Sequence, residues 1–145
     1  MIVALLLALL AGALLPVQTG INLQLRGALG QPIVAALVSF VVGTVGLALL
    51  VAALRAPVPV ADAWERGAWW HWVGGLIGAV YIVAAIVLAP RLGAATLVAA
   101  LVAGQMVASL LIDHYGWVGF AVHPVNPLRI LGAALVVGGV VLVQR

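Results

Sequence analysis

Cysteine and lysine are both absent from this chain, and acidic residues number three. Without cysteine there is no disulfide, no thiolate metal ligand and no thiol nucleophile. All positive charge is arginine, six residues spread singly, which leaves no basic patch for a nucleic-acid backbone. Charged residues make up 6% of the sequence and apolar residues 67%, whereas soluble domains carry roughly a quarter charged residues. A polar skin cannot be built from this composition, so the chain is expected to sit in membrane lipid. The histidines His71, His114 and His123 fall at predicted connections without clustered carboxylates, so no metal site is expected. No nucleophile stands beside a base and no glycine-rich phosphate loop follows a strand, which argues against an enzyme and against any cofactor.

Five apolar stretches are present, near residues 2–24, 33–54, 69–89, 92–112 and 128–144. Each approaches the roughly 20 residues needed to cross a hydrocarbon core about 30 Å thick as an α-helix. The predicted fold class is therefore all-α, a polytopic membrane protein with five transmembrane helices in a single domain over 1–145. The first stretch lacks the Lys or Arg that precedes the apolar run of a secretory signal, and reads as a retained helix. The connections are predicted at Arg26 to Pro32, at Arg55 to Gly67, at Pro90 and Arg91 with Gly93 behind them, and at Asp113 to Pro127, each marked by Gly or Pro.

Five crossings put the N-terminus on the same side as the second and fourth connections. Arg55, Arg66 and Arg129 then lie on one side and Arg26, Arg91 and Arg145 on the other. Orientation follows the Lys/Arg bias of the loops; three against three gives none, and insertion in both orientations is expected. A chain with an odd number of helices that inserts both ways can pair with its own inverted copy. Two copies then reproduce what many secondary transporters build from inverted repeats, with the substrate site near the bilayer midplane.

Helical spacing nominates the pathway. Gln18, Asn22 and Arg26 recur every four residues and share one face of the first helix, as Gln105, Ser109 and Asp113 do on the fourth. Polar side chains at membrane depth normally face a bundle interior or a wet cavity. Gln105 and Tyr81 lie near the middle of their spans. Ser39 and Thr44 are read as structural, their hydroxyls bonding back to helix carbonyls; Thr19, Gln24 and Thr96 stay open. Small-residue pairs at Gly74/Gly78, Ser39/Gly43 and Ala134/Gly138 allow close helix approach, the last being the preferred dimer contact. Trp64, Trp69, Trp70, Trp72 and Trp117 cluster on the N-terminal side as an interfacial belt, or, in a sharper alternative, Trp72 and Tyr81 form a cation-binding vestibule through their ring faces.

The run Gln18, Asn22, Arg26, the segment Ser39, Phe40, Gly43, and the late marks Asp113, Gly116, Arg129, Gly132 and Gly139 resemble the YdcZ-like inner-membrane proteins, a five-helix branch of the drug/metabolite transporter superfamily. The resemblance covers almost the whole chain. It implies a bacterial-type inner-membrane location and half of an inverted-repeat ten-helix transporter fold, whose relatives occur as dual-orientation single chains, as oppositely oriented pairs and as fused proteins. Four-helix small multidrug resistance relatives carry a glutamate in the first helix; this chain has none there, which speaks against proton-coupled export of cations. The function expected is a secondary transporter of a small organic solute, working as an antiparallel homodimer, with Gln18, Asn22, Tyr81, Gln105, Ser109 and Trp72 as substrate contacts. A dual-topology channel and a non-transporting membrane assembly protein are the alternatives.

Overall fold

The computed structural model describes residues 1–144, and among them every regular element is helical. Arg145, one of the arginines counted above, lies outside the described residues. The elements are α1 (Ile2–Leu29), α2 (Pro32–Leu54), the short α3 (Val60–Arg66), a 3₁₀ turn (Trp69–Trp72), α4 (Gly74–Tyr115), a second 3₁₀ turn (Trp117–Gly119) and α5 (Pro127–Val143). They form two compact units, Met1–Val87 and Leu88–Arg145.

In the first unit α1 and α2 pack along each other. Their connection is shorter than the sequence suggests. The helix runs past Arg26 and Gly27 to Leu29, and only Gly30, in the left-handed region at φ 76°, stops it, with its N–H donating to the Arg26 carbonyl at 2.8 Å. That conformation costs glycine little and most other residues about 1 kcal/mol or more. Gln31 is extended, as the residue before a proline must be, and Pro32 opens α2 at the first helical position, where its missing N–H leaves nothing unpaired.

Ala35 and Ala36 of α2 and Ile86 of α4 form the unit's buried core, with Leu25, Ile82 and Val83 against them. Two consecutive alanines bring helix backbones close, which is how helices associate when surrounding lipid is as apolar as the interface. A methyl built on Gly78 would lie 3.5 Å from Phe40 Cζ, so this small residue seats the ring within the chain, while Gly43, Gly74 and Gly138 face open space. In the second unit Leu97, Ala103 and Ala133 are buried.

Large apolar side chains otherwise point outward: Leu9 is 70% exposed, Val42 66% and Leu135 68%. In water such a surface would be untenable; in hydrocarbon it is the lipid-facing surface. Segments Ile2–Leu29, Pro32–Leu54 and Trp69–Tyr115 are long and apolar enough to cross a membrane, with mean hydropathies of 2.2, 2.6 and 2.3. The 17 residues of α5 span about 26 Å, slightly less than the hydrocarbon core, a deficit met by local thinning or by snorkelling of flanking residues.

The sequence places a break between the third and fourth spans at Pro90 and Arg91. Instead the helical hydrogen bonding continues through Pro90, and the backbone leaves helical geometry at Gly93, with φ 75° and ψ 163°. That region is essentially closed to residues with a Cβ. No atom lies within 4 Å of a methyl placed there, so Gly93→Ala carries only the conformational penalty. We expect it to lower stability by about 1 kcal/mol, read as a reduced unfolding midpoint in detergent. A neutral result would show that the break does not need a left-handed φ. The third span starts at Trp69 as predicted, but not as α-helix. Trp69–Trp72 is a separate 3₁₀ turn, and α4 begins at Gly74.

Candidate functional site

Two residues of the α1 polar stripe, Asn22 and Arg26, face the inside of their own unit, and the third, Gln18, is exposed. Asn22 is 4% exposed and Arg26 half-buried, while Gln18, one turn toward the N-terminus, reaches a cavity of about 220 Å³. Ser39, Phe40, Thr44 and Leu47 from α2 and Ile82 from α4 line the rest of it. These α2 residues belong to two adjacent ridges, Ser39–Gly43–Leu47 and Phe40–Thr44, of a helix that is otherwise aliphatic. Thr44 stands near the middle of α2. Polar groups at that depth are costly unless they are partnered, yet Ser39 and Thr44 make no hydrogen bond among the described residues. The back-bonding expected of them is made by Thr19 instead, whose Oγ1 donates to the Leu15 carbonyl at 2.9 Å.

Arg26 has a different task. Pro90 has no N–H to give to the carbonyl four residues before it, that of Ile86. The guanidinium of Arg26 donates to this carbonyl at 3.2 Å. A charged side chain of α1 thereby satisfies the backbone group that proline strands in an apolar setting.

Among the remaining candidates, Tyr81 is half-buried and directly precedes cavity-lining Ile82. Trp72 packs its ring against Trp64, centroids 5.2 Å apart, and both are exposed, as belt residues are. Gln105 and Ser109 sit on one exposed face of α4 in the second unit. Ser39, Phe40 and Thr44 were not among the predicted contacts; the signal for them was hydroxyl and ring side chains on neighbouring ridges opposite the Gln18 stripe.

A second polar cluster closes the connection from α4 to α5. Asp113 pairs with Arg129, Arg129 Nη1 also donates to the His123 carbonyl at 2.7 Å, and the His123 N–H donates to the Asp113 carbonyl at 2.7 Å. The Val125 N–H donates to His114 Nδ1 at 3.1 Å, and Asn126 Oδ1 accepts from the Arg129 N–H at 2.9 Å, capping α5 ahead of Pro127. The open space beside it, bordered by Asp113, His123 and Asn126, is walled by groups already bonded to one another, so the cluster reads as a clasp.

Outward apolar faces and a polar cavity at mid-span define a polytopic helical membrane protein. Residues 3–142 match the family model described as "Putative inner membrane exporter, YdcZ", and the chain belongs to that family. That description names an exporter and not an enzyme. Inner membrane protein YdcZ of Escherichia coli (strain K12) is 40% identical over 82 residues, 53% of this chain and 51% of that protein, so the match spans about half the relative's length. No solved structure matches the chain.

Proposed function

We propose that the chain is a secondary carrier of a small organic solute and that its working unit is an antiparallel homodimer of oppositely inserted copies. The observation that carries the carrier reading is the cavity between α1, α2 and α4. It holds the Gln18 amide and the Ser39 and Thr44 hydroxyls at membrane depth, open to an entering molecule and not hydrogen-bonded among the described residues, which is what a solute site needs. In this reading Gln18 and Asn22 donate and accept hydrogen bonds to the solute, and Tyr81 adds a ring face and hydroxyl. Gln105 faces its own copy across the two-fold axis, Ser109 on the same face offers a further hydroxyl, and Trp72 adds an aromatic contact. No nucleotide is consumed; two oppositely inserted protomers exchange conformations, each in turn adopting the state its partner leaves.

The homodimer rests on the arginine balance. Its test is to tag both termini and probe accessibility from outside intact cells. Comparable amounts of both orientations are expected in the native chain, and Gln31→Arg, which makes the count four against three, should shift most molecules to one orientation. Uniform orientation of the native chain with no oppositely inserted companion would overturn the homodimer. A carrier rather than a channel predicts saturable counterflow in proteoliposomes without ionic current.

A further inference from the structure

The cavity in the first unit is walled without any ionised group. Its polar atoms are the Gln18 carboxamide and the Ser39 and Thr44 hydroxyls, beside the Phe40 ring and the Leu47 and Ile82 side chains. Each of these polar groups both donates and accepts hydrogen bonds. The ionised residues lie outside this lining. Arg26, two turns along α1, donates to the Ile86 carbonyl. Asp62 and Glu65 belong to α3 in the connection after α2, and Asp113, the one carboxylate close to a span, is paired with Arg129. Among the described lining residues a cation entering the cavity would meet no carboxylate, and an anion no guanidinium. At membrane depth an uncompensated charge costs several kcal/mol, more than the Phe40 ring could return to a cation.

We infer that this cavity binds an uncharged solute, one whose hydroxyl or carboxamide groups bond reciprocally to Gln18, Ser39 and Thr44 while a flat or aliphatic face lies on Phe40. The inference takes the carrier reading above as its starting point and adds the chemical class of the cargo. It also gives the missing acidic residue of α1 a physical sense. A neutral cargo needs no counter-charge in the site and no proton exchanged for it.

The test uses the full-length protein and two sets of solutes matched in size and differing in charge: nicotinamide, 1-methylnicotinamide and nicotinate, and sorbitol, glucamine and gluconate. Binding is measured in detergent by equilibrium dialysis, and protein-dependent exchange of the labelled neutral member that binds is measured in proteoliposomes. In at least one set the neutral member is expected to bind roughly tenfold or more tightly than either charged partner. Ser39→Ala with Thr44→Val should weaken it about tenfold without changing the charge ranking. Gln18→Glu should move the preference toward 1-methylnicotinamide and glucamine. If a charged member binds best in the native protein, or none of the six binds to protein that melts cooperatively, the inference is overturned. Tight binding of the neutral member without any exchange would instead sink the carrier reading and leave the ligand class standing.

Discussion

Replacing Arg26 by methionine is expected to lower stability by about 2 kcal/mol, and almost none of that loss should remain when Pro90 is replaced by alanine in the same chain. The first effect follows from the Ile86 carbonyl. Ile86 is fully buried, its carbonyl has no helical donor because position 90 is proline, and Arg26 supplies the bond. Removing the guanidinium strands a buried acceptor, which costs about 1–3 kcal/mol. The second effect follows from the same bookkeeping. An alanine at 90 has an N–H, which returns the ordinary helical bond to Ile86 and leaves Arg26 with no carbonyl to satisfy. The two substitutions should therefore couple by about 2 kcal/mol, a size seen for residues that share one hydrogen-bond network. Equilibrium unfolding in mixed micelles measures the cycle, and orientation in the membrane does not enter it. Strict additivity would show that Arg26 acts on stability through something other than the Ile86 carbonyl.

This contact also shows where sequence reasoning reached its limit. The stripe Gln18, Asn22, Arg26 was legible because period four on an apolar helix has few other meanings, and the structure turns Asn22 and Arg26 inward while Gln18 stays exposed beside the cavity. Arg26 also reads as the start of a connection, since arginine and glycine together usually end an apolar run. The helix continues because the side chain finds a backbone acceptor on α4. The clue was present in Pro90, which frees a specific carbonyl, but the partner of that carbonyl depends on how α1 and α4 pack. The sequence marks the next break with Pro90, Arg91 and Gly93 together, and the structure shows which of them makes it. Proline removes one helical bond and can be tolerated when that bond is replaced, whereas Gly93 adopts a backbone conformation that ends the helix outright. For the candidate site, the α1 wall was legible and the α2 wall was not. Ser39 and Thr44 can satisfy themselves on their own helix, and nothing in their spacing shows whether they do.

The clasp between α4 and α5 supports the other large prediction. Asp113 lies in the last turn of α4 and Arg129 in the first turn of α5. Each charge is therefore at the wrong end of its own helix dipole, a carboxylate near carbonyls and a guanidinium near amides, at about 0.3–1 kcal/mol apiece. The pair is held by mutual attraction against those terms, with Arg129 31% and Asp113 24% exposed. Removing either partner leaves the other unpaired in an unfavourable field. Asp113→Ala and Arg129→Ala are each expected to cost about 2–3 kcal/mol, somewhat below the loss from breaking a fully buried pair because water still reaches both groups. Exchanging the charges should behave differently. In Asp113→Arg with Arg129→Glu both residues agree with their helix dipoles, and a glutamate three residues after the Asn126 cap can complete a capping box. One bond, from Arg129 to the His123 carbonyl, is lost. The double variant should fall within about 1 kcal/mol of the native chain, far above either single reversal, which sets like charges face to face. Both positions belong to the same connection, so its arginine count and the orientation balance are unchanged. Thermal unfolding of the four proteins decides the matter. A double variant no more stable than the sum of its singles would mean that Asp113 and Arg129 are held by their other bonds and not by each other.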